Sequence, residues 1–311
     1  MYQYRDNLPQ LSSKIFLMDG GMETTLIFQQ GIDLPEFASF DLLSVEWGEQ
    51  TLRDYFVPYI EMANESNRGF ILESPTWRAN PDWGKKIGYS LNELEDINSQ
   101  AIALMAKLRD EYQQEGSPLV ISGCIGPRGD GYRADTKMSA EEARDYHSFQ
   151  INVFADTAAD FVSALTLNYL EEAIGIALAA KDANIPAVIA FTTETDGLLP
   201  SGMTLQAAIE AVEKATDNYP AYYKINCAHP QHFMPALKAG EPWMQRIRAL
   251  RANASCKSHA ELDESTQLDR GNPQELAQQY RDLRRDFPQL TVLGGCCGTD
   301  IEHVREINQA C

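Results

Sequence analysis

The sequence predicts a (β/α)8 barrel, a closed ring of parallel strands surrounded by helices. Short runs rich in Val, Ile, Leu and Phe alternate along the chain with longer segments of helical period, and there are eight such runs. Most are apolar on both faces, as in a parallel sheet covered on both sides. A doubly wound open sheet would give the same local pattern. Eight units, and no Gly-x-Gly-x-x-Gly segment after the first run, favour the barrel.

The eight apolar runs are the predicted strands. The seventh is the weakest prediction, because its sequence RALRA carries two arginines. No linker rich in Pro, Gly or Ser divides the chain, so we expect a single domain over residues 1–311. In chain order the predicted strands are Ile15–Asp19, Gly69–Glu73, Leu119–Cys124, Asp160–Thr166, Ala187–Phe191, Tyr222–Asn226, Arg248–Ala252 and Thr291–Gly294.

Capping signals mark the starts of helices between the strands. In a capping box a Ser or Thr side chain accepts from a free backbone N–H, and a Glu three residues later bonds back. This spacing or a close variant predicts helix starts at Ser90, Ser139, Asn168 and Thr299, and Asn272 precedes a Pro that suits the first helical position. The polar stretch 253–269 is predicted to be a binding loop, with Cys256 and His259 on its solvated face.

Composition excludes several classes of partner. Lys and Arg number 26 against 45 Asp and Glu, a net charge of −19. So acidic a surface repels phosphate backbones and anionic lipid, so we expect neither a nucleic acid nor a membrane as partner. The N-terminal segment lacks the apolar core of a signal peptide, and no apolar run reaches the roughly 18–20 residues of a membrane span. We therefore expect a cytoplasmic protein, in which grouped cysteines indicate metal binding or catalysis.

Three cysteines follow predicted strands. Cys227 comes directly after the sixth strand, and Cys296 and Cys297 come directly after the eighth. Active sites of barrels are built at the carboxyl ends of strands, so we expect the three thiols to converge. The flanking glycines Gly294, Gly295 and Gly298 are expected to free the backbone to aim both adjacent sulfurs the same way.

Three thiolates suit Zn²⁺, with Zn–S bonds of about 2.3 Å, and leave the fourth tetrahedral position open. A thiol substrate fits that position, where the metal would deprotonate it and make it a nucleophile. The predicted chemistry is alkyl transfer to sulfur. The alternatives are a vicinal disulfide and buried structural thiols. His229, close to Cys227, is interpreted as a supporting or packing residue.

The sequence resembles the homocysteine S-methyltransferase family. The resemblance rests on segments that span almost the whole chain in the family's order. It implies a (β/α)8 barrel, zinc held by Cys227, Cys296 and Cys297, and methyl transfer to a zinc-bound thiol. The matching segments are MDGGMETTL, ESPTW, ISGCIGPRGD, AFTTETDGLLPSG, INCAHP and GGCCGTD.

The resemblance also implies a substrate-binding set. The family's Asp-Gly-Gly falls on Asp19, Gly20 and Gly21, where the glycines would let backbone approach the substrate and Asp19 would meet its ammonium group. The remaining implied residues are Glu73, Thr76 and Asn226.

One departure from the family concerns the acceptor. The family usually carries a Glu after the fourth strand that helps hold the homocysteine amino group, and here Leu165 occupies that position. Asp19 alone, Glu194 or another carboxylate would have to replace it, or the thiol is a different one. We expect a small onium methyl donor, and Trp77 and Tyr132 are candidates for a cation–π wall or for packing.

Two further interpretations stay open. The same zinc barrel would also suit a different thiol, or demethylation of a thioether or an onium compound. A non-catalytic protein that responds to zinc or redox state would use Cys296 and Cys297 as a thiol switch.

Overall fold

The structure, a computed structural model, describes residues 1–135, 137–265 and 267–311. Eight parallel strands close into a barrel in chain order, with β1 paired to both β2 and β8. The predicted fold is confirmed. Three predicted strands have the observed bounds, and the other five differ by one or two residues. The strands are β1 Phe16–Leu17, β2 Gly69–Glu73, β3 Leu119–Ile125, β4 Phe161–Leu167, β5 Ala187–Phe191, β6 Tyr222–Asn226, β7 Ile247–Ala252 and β8 Val292–Gly295.

Helices cover the outside of the barrel. The long helix that usually follows each strand is missing after β6, where a four-residue helix and 3-10 turns take its place. The helices in the described ranges are α1 Met22–Thr24, α2 Gly48–Glu65, α3 Pro81–Lys86, α4 Leu91–Tyr112, α5 Ala140–Ala155, α6 Leu170–Asp182, α7 Leu205–Thr216, α8 Pro230–Phe233, α9 His259–Asp263, α10 Pro273–Asp286 and α11 Ile301–Ala310. None of these described helices has the length and apolar character needed to cross a bilayer.

Three predicted helix starts are confirmed. Ser90 and Ser139 each form a complete capping box, and the Asn272 side chain accepts from two backbone N–H groups. Each cap satisfies donors that the first turn of a helix leaves free.

The other two predicted helix starts are wrong by one residue. Tyr169, not Asn168, is the residue before α6, because the Asn168 amide donates instead to the carbonyls of Asp130 and Arg133. Asp300, not Thr299, caps α11, since its carboxylate accepts from the second and third N–H groups of that helix. In both places a nearby polar partner outweighs the sequence spacing.

The barrel interior has an apolar layer below a charged layer. Side chains alternate along a strand, so every second residue points into the barrel. The residues two positions after those of the apolar layer therefore form the next layer, nearer the carboxyl ends of the strands. Glu73, Lys224 and Arg251 occupy that upper layer, fully buried or nearly so. It forms the floor of the site. The apolar layer contains Leu8, Phe16, Met18, Ile71, Val120, Phe161, Val188, Tyr222, Ala249 and Val292.

Candidate metal and substrate site

Three sulfur atoms converge at the carboxyl end of the barrel. The Sγ atoms of Cys227, Cys296 and Cys297 all lie within 4.8 Å of one another. Cys227 Sγ is 3.2 Å from Cys296 Sγ and 3.5 Å from Cys297 Sγ. All six cysteines are free thiols, so the vicinal disulfide is not formed. Hydrogen bonds from the two neighbouring thiols hold the pKa of Cys296 well below its ordinary value.

Cys227 is held in an unusual backbone conformation. Its φ of 56° lies in the left-handed region, which a residue with a Cβ adopts only at a cost. Three groups fix its carbonyl: the Thr192 hydroxyl at 3.2 Å, the Asn253 amide at 3.0 Å and the His259 Nε2 atom at 2.7 Å. These bonds offset the strain and aim the sulfur at its two partners.

Asn226 braces the adjacent strand end. Its side-chain oxygen accepts from the Thr166 backbone N–H at 2.9 Å, and its amide donates to the Thr166 hydroxyl at 2.9 Å. Thr166 also has a positive φ, of 60°. Asn226 lines the cavity, and its side chain fixes the end of β4 beside Cys227.

The glycines around the cysteine pair act differently from the expectation. Only Gly298 has a positive φ, of 79°. Gly294 and Gly295 belong to β8, and they are glycines because a Cβ there would lie 2.6 Å from Met18 Cβ and 2.0 Å from Thr299 Oγ1 respectively. Close packing, rather than backbone freedom, requires two of the three glycines.

Asp19 lies on the floor of the site beside Arg251, whose charge makes the seventh run the weakest strand prediction. Its Oδ1 is 2.9 Å from Arg251 Nη2, and its Oδ2 accepts from the Tyr55 hydroxyl at 3.0 Å. Burial raises the pKa of Asp19 to about 6, against the opposing effect of the Arg251 cation. The ion pair with Arg251 leaves Oδ1 without a hydrogen bond from any described residue, so the role of Asp19 toward an ammonium group stays a prediction.

Glu73 is the centre of the charged layer. Its Oε2 is 3.1 Å from both Lys224 Nζ and Arg251 Nη1, and its Oε1 accepts from the Ser122 hydroxyl at 2.8 Å. Burial alone would raise the pKa of Glu73, but the two cations outweigh burial and lower it. Sequence reasoning missed Lys224 and Arg251, although a charge inside an otherwise apolar strand was the available signal.

A cavity of about 400 Å³ opens above the three sulfurs. Asp19, Gly21, Glu73 and Asn226 are among the residues that line it, whereas Gly20 and Thr76 are not among the described lining residues. Gly20 and Gly21 allow close backbone packing, since a Cβ would lie 2.9 Å from the Thr299 carbonyl oxygen and 2.5 Å from the Cys296 carbonyl oxygen respectively. The Thr76 hydroxyl donates to the Cys124 carbonyl at 2.7 Å.

His259 lies at the site, and its prediction as a solvated loop residue is wrong. It is buried, its Nδ1 is 3.1 Å from Glu194 Oε1, and its ring stacks on Tyr132 with centroids 4.1 Å apart. The Tyr132 hydroxyl in turn lies 3.0 Å from Cys227 Sγ. The short helix α9, which periodicity could not reveal, brings His259 back to the barrel. Cys256 is exposed, as expected.

His229 caps α8 rather than approaching the sulfurs. Its Nδ1 accepts from the Gln231 backbone N–H at 3.3 Å. Burial and the nearby His232 lower the pKa of His229 to about 4. The packing interpretation of His229 therefore fits the structure.

Leu165 faces the cavity and keeps that wall apolar. It packs with Cys124 and Ala190 and is 6% exposed. Trp77 lies next to it, with one ring face taken by the Arg78 guanidinium at 4.6 Å from the ring centroid. This wall offers no charge to an ammonium group.

The sulfur trio fits a thiophilic metal ion. Zn–S bonds of about 2.3 Å in tetrahedral geometry separate sulfurs by about 3.8 Å. The observed separations of 3.2 and 3.5 Å are close to that value. Three soft ligands on one side and the cavity on the other match a site with one open position.

The chain is similar to known methyltransferases over almost its whole length. The family model described as homocysteine S-methyltransferase matches residues 16–311. Homocysteine S-methyltransferase 1 of Brassica oleracea var. italica is 23% identical over 94% of this chain and 92% of its own length. Selenocysteine Se-methyltransferase of the same species is 22% identical over 94% of this chain and 88% of its own length.

A solved structure shows the same fold. The oxidised form of the homocysteine methyltransferase MmuM from Escherichia coli superposes with a TM-score of 0.74 and 19% identity, covering 99% of this chain and all (100%) of MmuM. Its metallated form gives a TM-score of 0.72 with 96% of each chain covered. The family match extends from β1 to the end of the chain and includes all three converging cysteines. The chain belongs to the homocysteine S-methyltransferase family and is a methyltransferase.

Proposed function

We propose that this chain moves a methyl group from a small onium donor, of the S-methylmethionine or betaine kind, to a small thiol. The leading acceptor is homocysteine, which would give methionine. The convergence of three sulfurs beneath an open cavity carries this proposal. The acceptor sulfur forms the new S–CH3 bond while the donor's onium–CH3 bond breaks, and the electron pair of that bond stays on the donor's sulfur or nitrogen.

We propose Zn²⁺ as the cofactor, with Cys227, Cys296 and Cys297 as its ligands. Bound there, zinc would lower the pKa of the acceptor thiol so that its sulfur is a thiolate at neutral pH. The chain holds this site rigid from below: Arg251 donates to the Gly295 carbonyl at 2.7 Å and to the Gly20 carbonyl at 2.8 Å. Fixing the reacting atoms in this way supplies much of the rate enhancement of a bimolecular transfer.

The charge of the cavity favours a cationic donor. More carboxylates than cations line it, so a positively charged onium group is attracted. The carboxylates are those of Asp19, Glu23, Glu73, Asp130 and Asp269, and the cations are those of Arg78 and Arg251.

The apolar Leu165 favours one second candidate, the same chemistry on a different thiol or in the demethylating direction. A screen of acceptors tests it. Turnover of homocysteine above that of thiols without an amino group supports the primary proposal, whereas a preference for such thiols supports the alternative.

The direct test compares single cysteine variants. Cys297→Ala is expected to lose both the zinc and the methyl transfer from S-methylmethionine to homocysteine, because two sulfurs hold the ion too weakly. Cys256→Ser is the matched control, since this exposed thiol is outside the trio. Zinc per chain and methionine formation are measured under reducing conditions. Retention of activity by Cys297→Ala would contradict the proposal.

A further inference from the structure

Three charged side chains line the cavity without forming an ion pair with any described residue. They are Glu23 in α1, Arg78 after β2 and Asp130 after β3. A buried or half-buried charge without a counter-ion is costly, so an unpaired charge in a cavity indicates a ligand that completes it.

The Glu23 carboxylate is oriented through one of its two oxygens. Its Oε1 accepts from the Ser39 hydroxyl at 2.8 Å, which leaves Oε2 for a ligand. Burial raises the pKa of Glu23. Glu23 lies near the sulfur trio, because the hydroxyl of its neighbour Thr24 accepts from the Gly298 backbone N–H at 3.1 Å, next to Cys297.

Arg78 is held between two indole rings. Its guanidinium carbon lies 3.4 Å from the Trp83 ring centroid and 4.6 Å from that of Trp77, and its Nε is buried with no hydrogen-bond partner among the described residues. Burial lowers the pKa of Arg78 to about 10, so it stays charged at neutral pH. The rings orient the cation and leave its N–H donors for an anion.

The other carboxylates considered for an ammonium group have a protein partner or lie outside the cavity. Asp19 forms an ion pair with Arg251, although its buried Oδ1 accepts no hydrogen bond from any described residue. Glu194 lies against His259 and is not among the described lining residues, and the wall at Leu165 is apolar. Two lining carboxylates, those of Glu23 and Asp130, have no cationic partner among the described residues, and Asp130 Oδ1 already accepts from two backbone N–H groups of its own loop.

We propose that Glu23 and Arg78 together bind the zwitterionic head of an amino-acid thiol, with its ammonium group on Glu23 and its carboxylate on Arg78. This inference rests on the proposed function, because it places the thiol sulfur at the cysteine trio. Glu23 and Arg78 line the same cavity and form no ion pair with each other. A short ligand with both charges would satisfy both residues, whereas a ligand with a single charge leaves one residue unsatisfied.

The test measures thiol binding to the zinc-loaded protein by calorimetry. The probes are homocysteine, 4-mercaptobutanoate, which lacks the ammonium group, and 3-mercaptopropylamine, which lacks the carboxylate. Glu23→Gln is expected to weaken the binding of homocysteine by about 10- to 100-fold and that of 4-mercaptobutanoate by less than about threefold. Arg78→Met is expected to weaken the binding of both carboxylate-bearing thiols. The affinity for 3-mercaptopropylamine should stay within about threefold of that of the unaltered protein.

Ser39→Ala supplies a second variant, because it removes only the hydroxyl that orients Glu23. It should shift selectivity in the same direction as Glu23→Gln by a smaller factor. Equal weakening of all three thiols, or no weakening of homocysteine, would overturn the assignment while the proposed function stands. If homocysteine fails to bind the unaltered zinc-loaded protein, the proposed function fails and this assignment fails with it.

Discussion

Charged residues inside the barrel determine what the site is. Lys224 and Arg251 were visible in the sequence as charges within strand-forming runs, and Arg251 lowered the expectation of a strand there. The structure shows the opposite relation. Each cation is buried at the carboxyl end of its strand and pairs with a buried carboxylate. A charge at such a position in a parallel strand indicates a paired group beneath a site.

Replacement of Arg251 by Met should destabilise the protein by about 3–5 kcal/mol, because Asp19 and Glu73 lose a buried counter-ion. The urea midpoint of unfolding measures this loss. Arg248→Met is the matched control, since Arg248 lies on the same strand and is only partly buried, and it should cost about 1 kcal/mol or less. Equal losses for the two variants would show that the buried network does not stabilise the fold.

His229 predicts a pH dependence of stability. Its folded pKa of about 4 lies below the unfolded value of 6.5. Between these two pH values the imidazole is protonated in the unfolded chain and neutral in the folded chain. The free energy of unfolding therefore falls as pH drops from about 6.5 towards 4. His229→Asn keeps a capping side chain that does not titrate.

The His229 contribution is on the order of 1–2 kcal/mol, after allowance for solvent screening of this group. Unfolding free energies at pH 7 and pH 5 should therefore diverge less for His229→Asn than for the unaltered chain. An identical pH dependence in the two proteins would contradict the assignment.

At the scale of elements, the strands were predictable and several helix details were not. Runs apolar on both faces placed all eight strands to within two residues. Helix starts at Asn168 and Thr299 were wrong because partners distant in sequence or an adjacent carboxylate took over the hydrogen bonds. The helix α9 was hidden in a polar stretch, and its capping box at Ser258 was the signal that would have revealed it.

At Gly295 in β8 there is no space for a side chain. Gly295→Ala places a Cβ against the Thr299 hydroxyl and should displace the adjacent Cys296. We expect a loss of about 1–3 kcal/mol in unfolding free energy and a weaker hold on zinc. Gly129→Ala is the control, because a Cβ there meets no atom within 4 Å. Full zinc retention by Gly295→Ala would contradict the role of close packing in aiming the sulfurs.

At the scale of the whole molecule, barrel closure brings distant segments to one point. Cys227 and the Cys296–Cys297 pair could be placed together from the sequence, because both follow strands that end at the same rim. Glu23, Arg78 and His259 could not be placed in this way. They lie on connecting segments, whose paths depend on contacts that neither periodicity nor spacing encodes.

The most direct test of the account is zinc-edge X-ray absorption of the reduced protein, recorded before and after homocysteine is added. The account predicts about one zinc per chain with three sulfur neighbours at about 2.3 Å, and a fourth sulfur once homocysteine binds. A zinc shell without three sulfurs, or one that homocysteine leaves unchanged, would contradict it.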